Sequence, residues 1–153
     1  MKLRVFWVGK TQEEWIRRGI GEYAGRILRY LPFETVEVKE EKGVPTEIAR
    51  SRECERITRL ISGNARLILL DERGEEMSSP EFSSFMGRYR DAGTAELAFV
   101  IGGAYGFTEG FCASAHRAVA LSRMTFTHQM VRVFLLEQIY RGLTILNGEQ
   151  YHH

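Results

Sequence analysis

Apolar residues follow two different periods along this chain, and the two periods alternate from one segment to the next. Residues 2–8 and 33–39 alternate apolar with polar positions and are rich in β-branched and aromatic side chains, which predicts two strands. Residues 66–70 and 97–101 are short continuous apolar runs, typical of strands that are covered on both faces. Residues 118–121 are predicted to form the last strand.

Segments with helical periodicity separate these strands. The first begins near Thr11, which has capping-box spacing to Glu14, and it ends at Pro32. Further helices are predicted over residues 45–62, from Ser79, over about 108–116, and from about Thr127. The chain of 153 residues is long enough to bury one sizeable core. We therefore predict a single α/β domain, residues 1–153, with an open, mainly parallel sheet and helices on both faces.

The composition excludes several classes of protein. An apolar fraction of 44% and a charged fraction of 27% are typical of an ordinary globular protein and not of a disordered chain. No apolar run reaches the roughly 18 residues of a membrane helix, and no secretory leader opens the chain. We therefore expect a cytoplasmic protein with no membrane partner. Cys54 and Cys112 are expected to be free thiols in a reducing compartment.

Basic residues are concentrated in the first predicted helix. The net charge of the whole chain is only +1, yet this helix carries Arg17, Arg18, Arg26 and Arg29, close to Lys10. Such a stripe is typical of a nucleic-acid contact. A solvated helix face explains the same residues at least as well, so both interpretations stay open.

Polar residues and glycines follow three of the predicted strands. In open parallel sheets, ligands bind beyond the carboxyl ends of the strands. Asp71 and Glu72 could act as an acid–base pair, hold a ribose or form an ordinary polar turn. Gly102 and Gly103 permit close backbone approach and positive φ, although Gly-Gly-x-x-Gly is not the dinucleotide-binding fingerprint. Ser122 begins the third of these segments.

The C-terminal segment is unusual for a chain end. The polar residues 122–127 lead into a helix that is apolar nearly all round, and the chain closes on Tyr151, His152 and His153. A helix without a polar face is buried on every side, which in so small a domain suggests packing against a second subunit. The few polar residues of this helix must then be paired, because lone buried charges are costly. They are Arg132, Glu137, Gln138 and Arg141, of which Glu137 and Arg141 could form an intrachain salt bridge.

The histidines do not predict a metal site. His128, His152 and His153 have no cysteine or acidic partner at metal-ligand spacing, so we expect no metal. The chain also lacks a Gly-x-Ser-x-Gly elbow, a phosphate-binding P-loop and a plausible Cys-His nucleophile pair. These absences leave the strand ends and the C-terminal segment as the candidate chemistry.

Several short motifs spread over the whole chain occur together. They are Gly9-Lys10, Trp15, Leu70-Asp71, Ile101-Gly102-Gly103-x-x-Gly106, Ser122-x-Met124-Thr125-x-x-His128, Glu137-x-x-Tyr140-Arg141 and Tyr151-His152. In these motifs the chain resembles the ribosomal RNA large subunit methyltransferase H family, within the SPOUT class of knotted methyltransferases. The last three motifs together are highly specific, whereas the glycine motif alone is not.

The resemblance implies an α/β fold with a trefoil knot near its C-terminus, and a homodimer. It also implies that a methyl group passes from S-adenosylmethionine to nitrogen 3 of a pseudouridine in 23S ribosomal RNA, on the assembled ribosome. The implied cofactor-binding residues are Leu70, Gly102, Gly103, Ser122, Arg123, Met124, Thr125, Phe126 and Thr127. The implied catalytic residues are His128, Tyr151 and His152, with the tail closing the site of the partner subunit.

The roles of the remaining polar residues follow from the same resemblance. His128, His152 and Asp71 are conceivable acceptors of the imide proton, and no dedicated base is assigned. Arg132 and His153 are candidate RNA contacts, together with the arginines of the first helix. For Arg132 and those arginines, a structural ion pair is an equally good interpretation.

Two positions depart from the family pattern. Thr127 stands where the family often has proline, so the loop before it could be less rigid here than in the family. His153 stands where the family usually has lysine or arginine, so affinity for RNA phosphate could depend on pH near 6–7. Two other functions also stay open: a non-catalytic ribosome-binding assembly factor, and a small-molecule nucleotide-binding α/β enzyme.

Overall fold

The computed structural model describes all 153 residues as a five-stranded sheet flanked by five helices. The strands are β1 (Lys2–Val8), β2 (Phe33–Val38), β3 (Arg66–Glu76), β4 (Glu96–Ile101) and β5 (Arg117–Ala120). The helices are α1 (Glu14–Ile27), α2 (Thr46–Leu60), α3 (Ser79–Asp91), α4 (Glu109–Ser114) and α5 (His128–Leu146). All neighbouring strands are parallel, in the order β2-β1-β4-β3-β5. The predicted α/β fold with an open parallel sheet is confirmed.

The two faces of the sheet bury different side chains, because successive residues of a strand point to opposite sides. In β1, Leu3, Val5 and Trp7 belong to the core formed with α1, α3 and α5. Phe6 and Val8 belong to the core formed with α2 and α4. Helices thus cover both faces, as predicted, and the carboxyl ends of the strands are left for a site.

Helix α5 packs against both α1 and α3. A β-carbon on its Gly142 would overlap the side chain of Met86 in α3, and Ser83 Oγ donates a hydrogen bond to the Gly142 carbonyl (2.7 Å). Val133 and Phe134, also on α5, are only partly buried. Within one chain, α5 is therefore not buried on every side, because part of its apolar surface remains accessible.

Strand β3 is longer than the sequence predicts. The apolar run ends at Leu70, but the strand continues to Glu76 and pairs with β5 on both sides of a register shift. A β-carbon on Gly74 would lie 2.6 Å from backbone atoms of Ala118 and Val119. The extension could not be found from apolar positions, because most of its residues are polar and exposed.

The capping box expected at Thr11 and Glu14 is not formed. Helix α1 begins at Glu14, after the N-cap residue Glu13, whose side chain makes no capping hydrogen bond. Thr11 is buried instead, and its hydroxyl accepts a hydrogen bond from the Arg132 guanidinium of α5 (2.9 Å). The prediction was wrong because a tertiary contact takes the hydroxyl that the local spacing assigned to a cap.

Helix α3 does have a capping box. Ser78 Oγ accepts a hydrogen bond from the Glu81 amide (3.3 Å), and the Glu81 carboxylate accepts one from the Ser78 amide (2.7 Å). Pro80 lies in the first turn, where its missing N–H costs nothing. The start of α3 is therefore determined by local sequence.

The substitution Ser78→Ala is expected to lower the free energy of unfolding by about 1 kcal/mol, because an amide of the first turn loses its acceptor. Urea unfolding followed by circular dichroism measures this change. Ser84→Ala, at an exposed position inside the same helix, is the matched control and should cost nothing. Equal losses in both variants would contradict the capping role.

Other features of the sequence have simple outcomes. Cys54 and Cys112 are free thiols, as predicted. No helix has the length and apolar character needed to span a membrane, and no group of three or more His, Cys, Asp or Glu side chains is arranged to hold a metal ion. The trefoil knot stays a prediction.

Candidate cofactor and active site

A cavity of about 710 Å³ opens beside the middle of β3, where its apolar run ends, and at the carboxyl ends of β4 and β5. Its walls are residues 70–73, the glycine loop (residues 102–106) and the polar loop of residues 122–127, together with the start of α5. Every residue predicted to bind the cofactor lines this cavity except Arg123. The Arg123 side chain is exposed and lies 3.5 Å from Glu76. The structure thus brings the predicted cofactor residues together, while their role in binding stays a prediction.

The glycine loop depends on its small residues for packing. A β-carbon on Gly102 would lie 3.1 Å from the Phe107 ring, and one on Gly103 would lie 3.2 Å from both Val8 and Glu53. Positive φ occurs at Gly106 (+70°) and not at Gly102 or Gly103. Of the two properties that glycine permits, close approach and positive φ, Gly102 and Gly103 therefore use the first.

The loop of residues 122–127 is held by its own side chains. Ser122 Oγ accepts a hydrogen bond from the Met124 amide (3.0 Å), and Thr125 Oγ1 lies 3.4 Å from Glu72 Oε2. Thr127 is the N-cap of α5, and its hydroxyl accepts from the Met130 amide (3.3 Å). Its φ of −61° is the angle that proline would impose. Thr127 therefore has a φ that proline could also adopt, and its hydroxyl adds a cap.

His128 and Asp71 both line the cavity, but they differ as proton acceptors. Partial desolvation, and then the nearby Arg132 charge, lower the pKa of His128 although its side chain is exposed, so its imidazole is neutral at neutral pH. Asp71 accepts two hydrogen bonds from the Arg73 guanidinium (both 3.0 Å) and one from the Arg73 amide. The Arg73 side chain thereby lowers the pKa of Asp71. Of these two groups, His128 is the better acceptor of a proton.

The C-terminal tail packs on the second half of α5. Glu137 Oε1 accepts hydrogen bonds from the Arg141 guanidinium (2.6 Å) and from the Tyr151 hydroxyl (3.2 Å). Arg141 also lies over the Tyr151 ring, 4.7 Å from its centroid, and 3.3 Å from His152 Nδ1. The predicted salt bridge between Glu137 and Arg141 is confirmed. His153, in contrast, is exposed.

The tail does not reach the cavity of its own chain. Tyr151 packs edge-on against Tyr140, with ring centroids 4.7 Å apart. Tyr140 follows His128 by twelve helical residues, which separates the two along α5 by about 18 Å. Within one chain, the structure therefore does not assemble His128, Tyr151 and His152 into a single catalytic group.

Arg132 is not a surface residue. Its side chain is completely buried, and it donates hydrogen bonds to the Thr11 hydroxyl and to the Val8 carbonyl (both 2.9 Å). The expectation that Arg132 contacts RNA was wrong, because its guanidinium is enclosed between α5 and the end of β1. The alternative interpretation, a structural role, is the one that the contacts support.

The basic residues of α1 are mostly paired within the helix. Arg17 and Arg18 both lie 3.5 Å from Glu14, and Arg26 pairs with Glu22. A solvated helix face therefore explains these arginines. No RNA contact is needed to account for them.

Two residues that line the cavity could not be identified from sequence. Phe107 directly follows the glycine loop and packs against Phe111, with ring centroids 5.4 Å apart. Val131 lies in the first turn of α5, where its amide donates to the Thr127 carbonyl. In sequence, both resemble ordinary core residues, so only their position in space marks them.

A family model described as "Predicted SPOUT methyltransferase" matches residues 1–152. The chain belongs to this SPOUT methyltransferase family. A protein of Geotalea uraniireducens (strain Rf4) is 67% identical over 153 residues, which cover 100% of both chains. One of Geobacter metallireducens (strain ATCC 53774 / DSM 7210 / GS-15) is 64% identical over 153 residues, covering 100% of this chain and 99% of that one. Both are named ribosomal RNA large subunit methyltransferase H.

A solved structure supports the same fold. A probable methylase family protein from Haemophilus influenzae Rd KW20 superposes with a TM-score of 0.58 at 14% identity, over 95% of this chain and 66% of that one. Family membership confirms the predicted enzyme class, a methyltransferase, and with it S-adenosylmethionine as the methyl donor.

The cavity suits a donor of this size. Its volume of about 710 Å³ lies within the usual range for small-molecule sites, about 300–1,000 Å³. The glycine loop contributes backbone to the lining, while Met124 (74% exposed) and Phe126 (38% exposed) contribute apolar surface. The residues present therefore fit an adenosine-containing ligand with both polar and apolar parts.

Proposed function

We propose that this chain methylates nitrogen 3 of a pseudouridine in 23S ribosomal RNA, on the assembled ribosome in the cytoplasm. The observation that carries the proposal is the convergence of the predicted cofactor motifs of three strands on one cavity. The shared name of the two relatives supports a large-subunit RNA substrate. The choice of base and atom rests on the family resemblance.

The residues of the cavity bind and orient the reactants. When bound, S-adenosylmethionine would supply a methyl group attached to a sulfonium sulfur. The base nitrogen would bond to the methyl carbon while the carbon–sulfur bond breaks, so that the sulfur is the group displaced. The glycine loop and the loop of residues 122–127 hold the donor from two sides of the cavity. Correct alignment of two reactants can contribute up to about 7–11 kcal/mol to lowering a barrier. Positioning therefore carries most of the catalytic work in this proposal.

His128 is the residue proposed to accept the proton of the base nitrogen. It lines the cavity, and its lowered pKa leaves a ring nitrogen free to accept a proton at neutral pH. Asp71 is less suited, because Arg73 already occupies its oxygens. General-base catalysis of this kind contributes typically about 10²–10⁴-fold to a rate.

The working unit is proposed to be a homodimer. Trp15 on α1 is 57% exposed, and α5 leaves Val133 and Phe134 only partly buried. Of these apolar residues, Phe134 packs edge-on against Phe126, which lines the cavity (ring centroids 5.0 Å apart). The tail lies too far along α5 to reach His128 of its own chain. A second copy packed on these apolar residues would bring the tail, with Tyr151, to the cavity of its partner.

Of the arginines and the lysine singled out from the sequence as possible RNA contacts, only Lys10 and Arg29 are exposed without a carboxylate partner. Arg132 is buried, and most arginines of α1 pair with glutamates of the same helix. His153 is exposed and stays a proposed contact to phosphate. Recognition is therefore proposed to depend on the shape of the assembled ribosome and on a few placed groups, in agreement with the net charge of +1.

Incubation with methyl-labelled S-adenosylmethionine and ribosomes from a strain lacking this gene tests the proposal. We expect label in 23S ribosomal RNA, at nitrogen 3 of a pseudouridine after nucleoside analysis. Ribosomes from the parent strain, already methylated, are the control and should take up no label. Lack of label under saturating conditions would remove the proposed function.

Two companion measurements separate the rival functions. Calorimetry that detects no binding of S-adenosylmethionine at millimolar concentration would favour a non-catalytic assembly factor. Methylation of a free nucleoside, with ribosomes making no difference, would favour a small-molecule enzyme. The proposed function predicts binding in the first measurement and no product in the second.

A further inference from the structure

Arg132 is the most deeply buried charged side chain of the protein. Its two terminal nitrogens donate to the Thr11 hydroxyl and the Val8 carbonyl, while its Nε has no hydrogen-bond partner. The nearest carboxylate oxygen belongs to Glu37, 4.0 Å away on a half-exposed side chain. The Trp7 ring lies 5.2 Å from the guanidinium carbon. A buried cation is thus held mainly by neutral groups.

This arrangement is a poor device for stability. Removing a charge from water is costly, and apolar residues of similar volume often serve as well or better at such positions. Burial lowers the pKa of Arg132 to about 10, which still leaves it charged at neutral pH. Unlike an apolar residue, the arginine has a forked guanidinium with several donors. These donors hold α5 in a defined position against the segment at the end of β1.

One of the two acceptors, the Val8 carbonyl, belongs to a residue that supports a wall of the cofactor cavity. The side chain of Val8 is the surface against which Gly103 packs, since a β-carbon on that glycine would lie 3.2 Å from it. His128 and Val131, on the first turns of α5, form the opposite wall. Arg132 follows Val131 in the same helix. The fork therefore joins the wall formed by α5 to the strand end that supports the glycine loop.

A second side chain of α5 reinforces this joint. Gln129 Oε1 accepts a hydrogen bond from the Gln12 amide (3.1 Å), and its Nε2 donates to the Lys10 carbonyl (3.2 Å). The Glu37 carboxylate accepts a hydrogen bond from the Thr11 amide (2.9 Å). The segment after β1 is thus fixed from two sides, although it is more than a hundred residues from α5 in sequence.

We propose that Arg132 is a positioning residue for methyl transfer, which sets the width of the cofactor cavity by holding α5 to the carboxyl end of β1. The inference rests on the proposed function. It concerns a residue that touches neither reactant and acts through Val8, Thr11 and the start of α5.

The test compares the stability and the cofactor affinity of three variants at this joint. For Arg132→Met, calorimetry is expected to give a dissociation constant for S-adenosylmethionine about ten- to a hundredfold higher than that of the wild type, the scale for losing hydrogen bonds to a charged group. Its melting temperature should change little, because removal of the buried charge offsets the loss of a donor for the Val8 carbonyl and the Thr11 hydroxyl. Arg132→Lys, which keeps a donor able to reach one acceptor, should fall between wild type and Arg132→Met in affinity. Thr11→Val keeps the arginine, removes one acceptor, and should weaken binding severalfold.

A loss of cofactor affinity without a loss of stability distinguishes positioning from a merely structural role. Ser83→Ala is the control, because it removes a buried hydrogen bond to the same helix, far from the cavity. It should lower the melting temperature and leave cofactor affinity unchanged. Wild-type affinity in Arg132→Met would overturn the inference, and if that variant does not fold, wild-type affinity in Thr11→Val would do so. Failure of the wild type itself to bind S-adenosylmethionine would instead overturn the proposed function.

Discussion

Deletion of residues 151–153 is expected to lower the rate of ribosome methylation by more than about a hundredfold, the scale on which lost positioning slows a reaction. The tail contributes an aromatic ring and an imidazole held by one ion pair, Glu137 with Arg141. It forms no part of the cavity of its own chain. Its loss should therefore leave the fold and most cofactor binding intact. Only the reaction with bound RNA substrate should become slower.

Three measurements on the truncated protein check this expectation. Circular dichroism should show an unchanged fold, size-exclusion chromatography the same oligomeric state as the wild type, which is proposed to be a dimer, and calorimetry an affinity for S-adenosylmethionine close to that of the wild type. Removal of His153 alone is the matched control, since this exposed residue makes no contact with the ion pair. It should have a much smaller effect. Full activity of the protein lacking all three residues would refute the role of the tail.

The order of strands and helices could be predicted because it depends on local periodicity. The alternating pattern of β1 and the continuous apolar run of β4 follow from which faces each strand buries. The start of α3 follows from Ser78 and Glu81, which are close in sequence. The extension of β3 was missed because its polar residues pair through their backbone, and backbone pairing leaves no apolar pattern.

The candidate site was predictable to a different extent. Parallel topology places strand ends at one edge, so the convergence of Leu70, Gly103 and Ser122 follows from the fold class. The burial of Arg132 does not, because an arginine on a predicted helix has the same appearance in sequence whether it faces RNA or a distant carbonyl. The contact with Val8 spans 124 positions, and only the packing of α5 on the end of β1 creates it.

Gly74→Ala is expected to be strongly destabilising. The added β-carbon would lie 2.6 Å from the Ala118 carbonyl carbon and the Val119 nitrogen. Backbone atoms cannot turn aside as a flexible side chain can, so β5 would have to move. We expect the free energy of unfolding to fall by about 3 kcal/mol, the upper end for overpacking. That is a large share of the roughly 5–15 kcal/mol that stabilises a domain.

The same substitution should also weaken cofactor binding, because β5 leads directly into the loop that begins at Ser122. Urea unfolding and calorimetry with S-adenosylmethionine, on samples confirmed to be folded, measure the two effects. Gly63→Ala is the matched control, since a β-carbon there meets nothing within 4 Å and φ is not positive. Its stability should stay within about 0.5 kcal/mol of the wild type. Gly74→Ala could instead match this control in both measurements. That result would contradict the close packing of Gly74 on the backbone of β5 and its effect on the cavity.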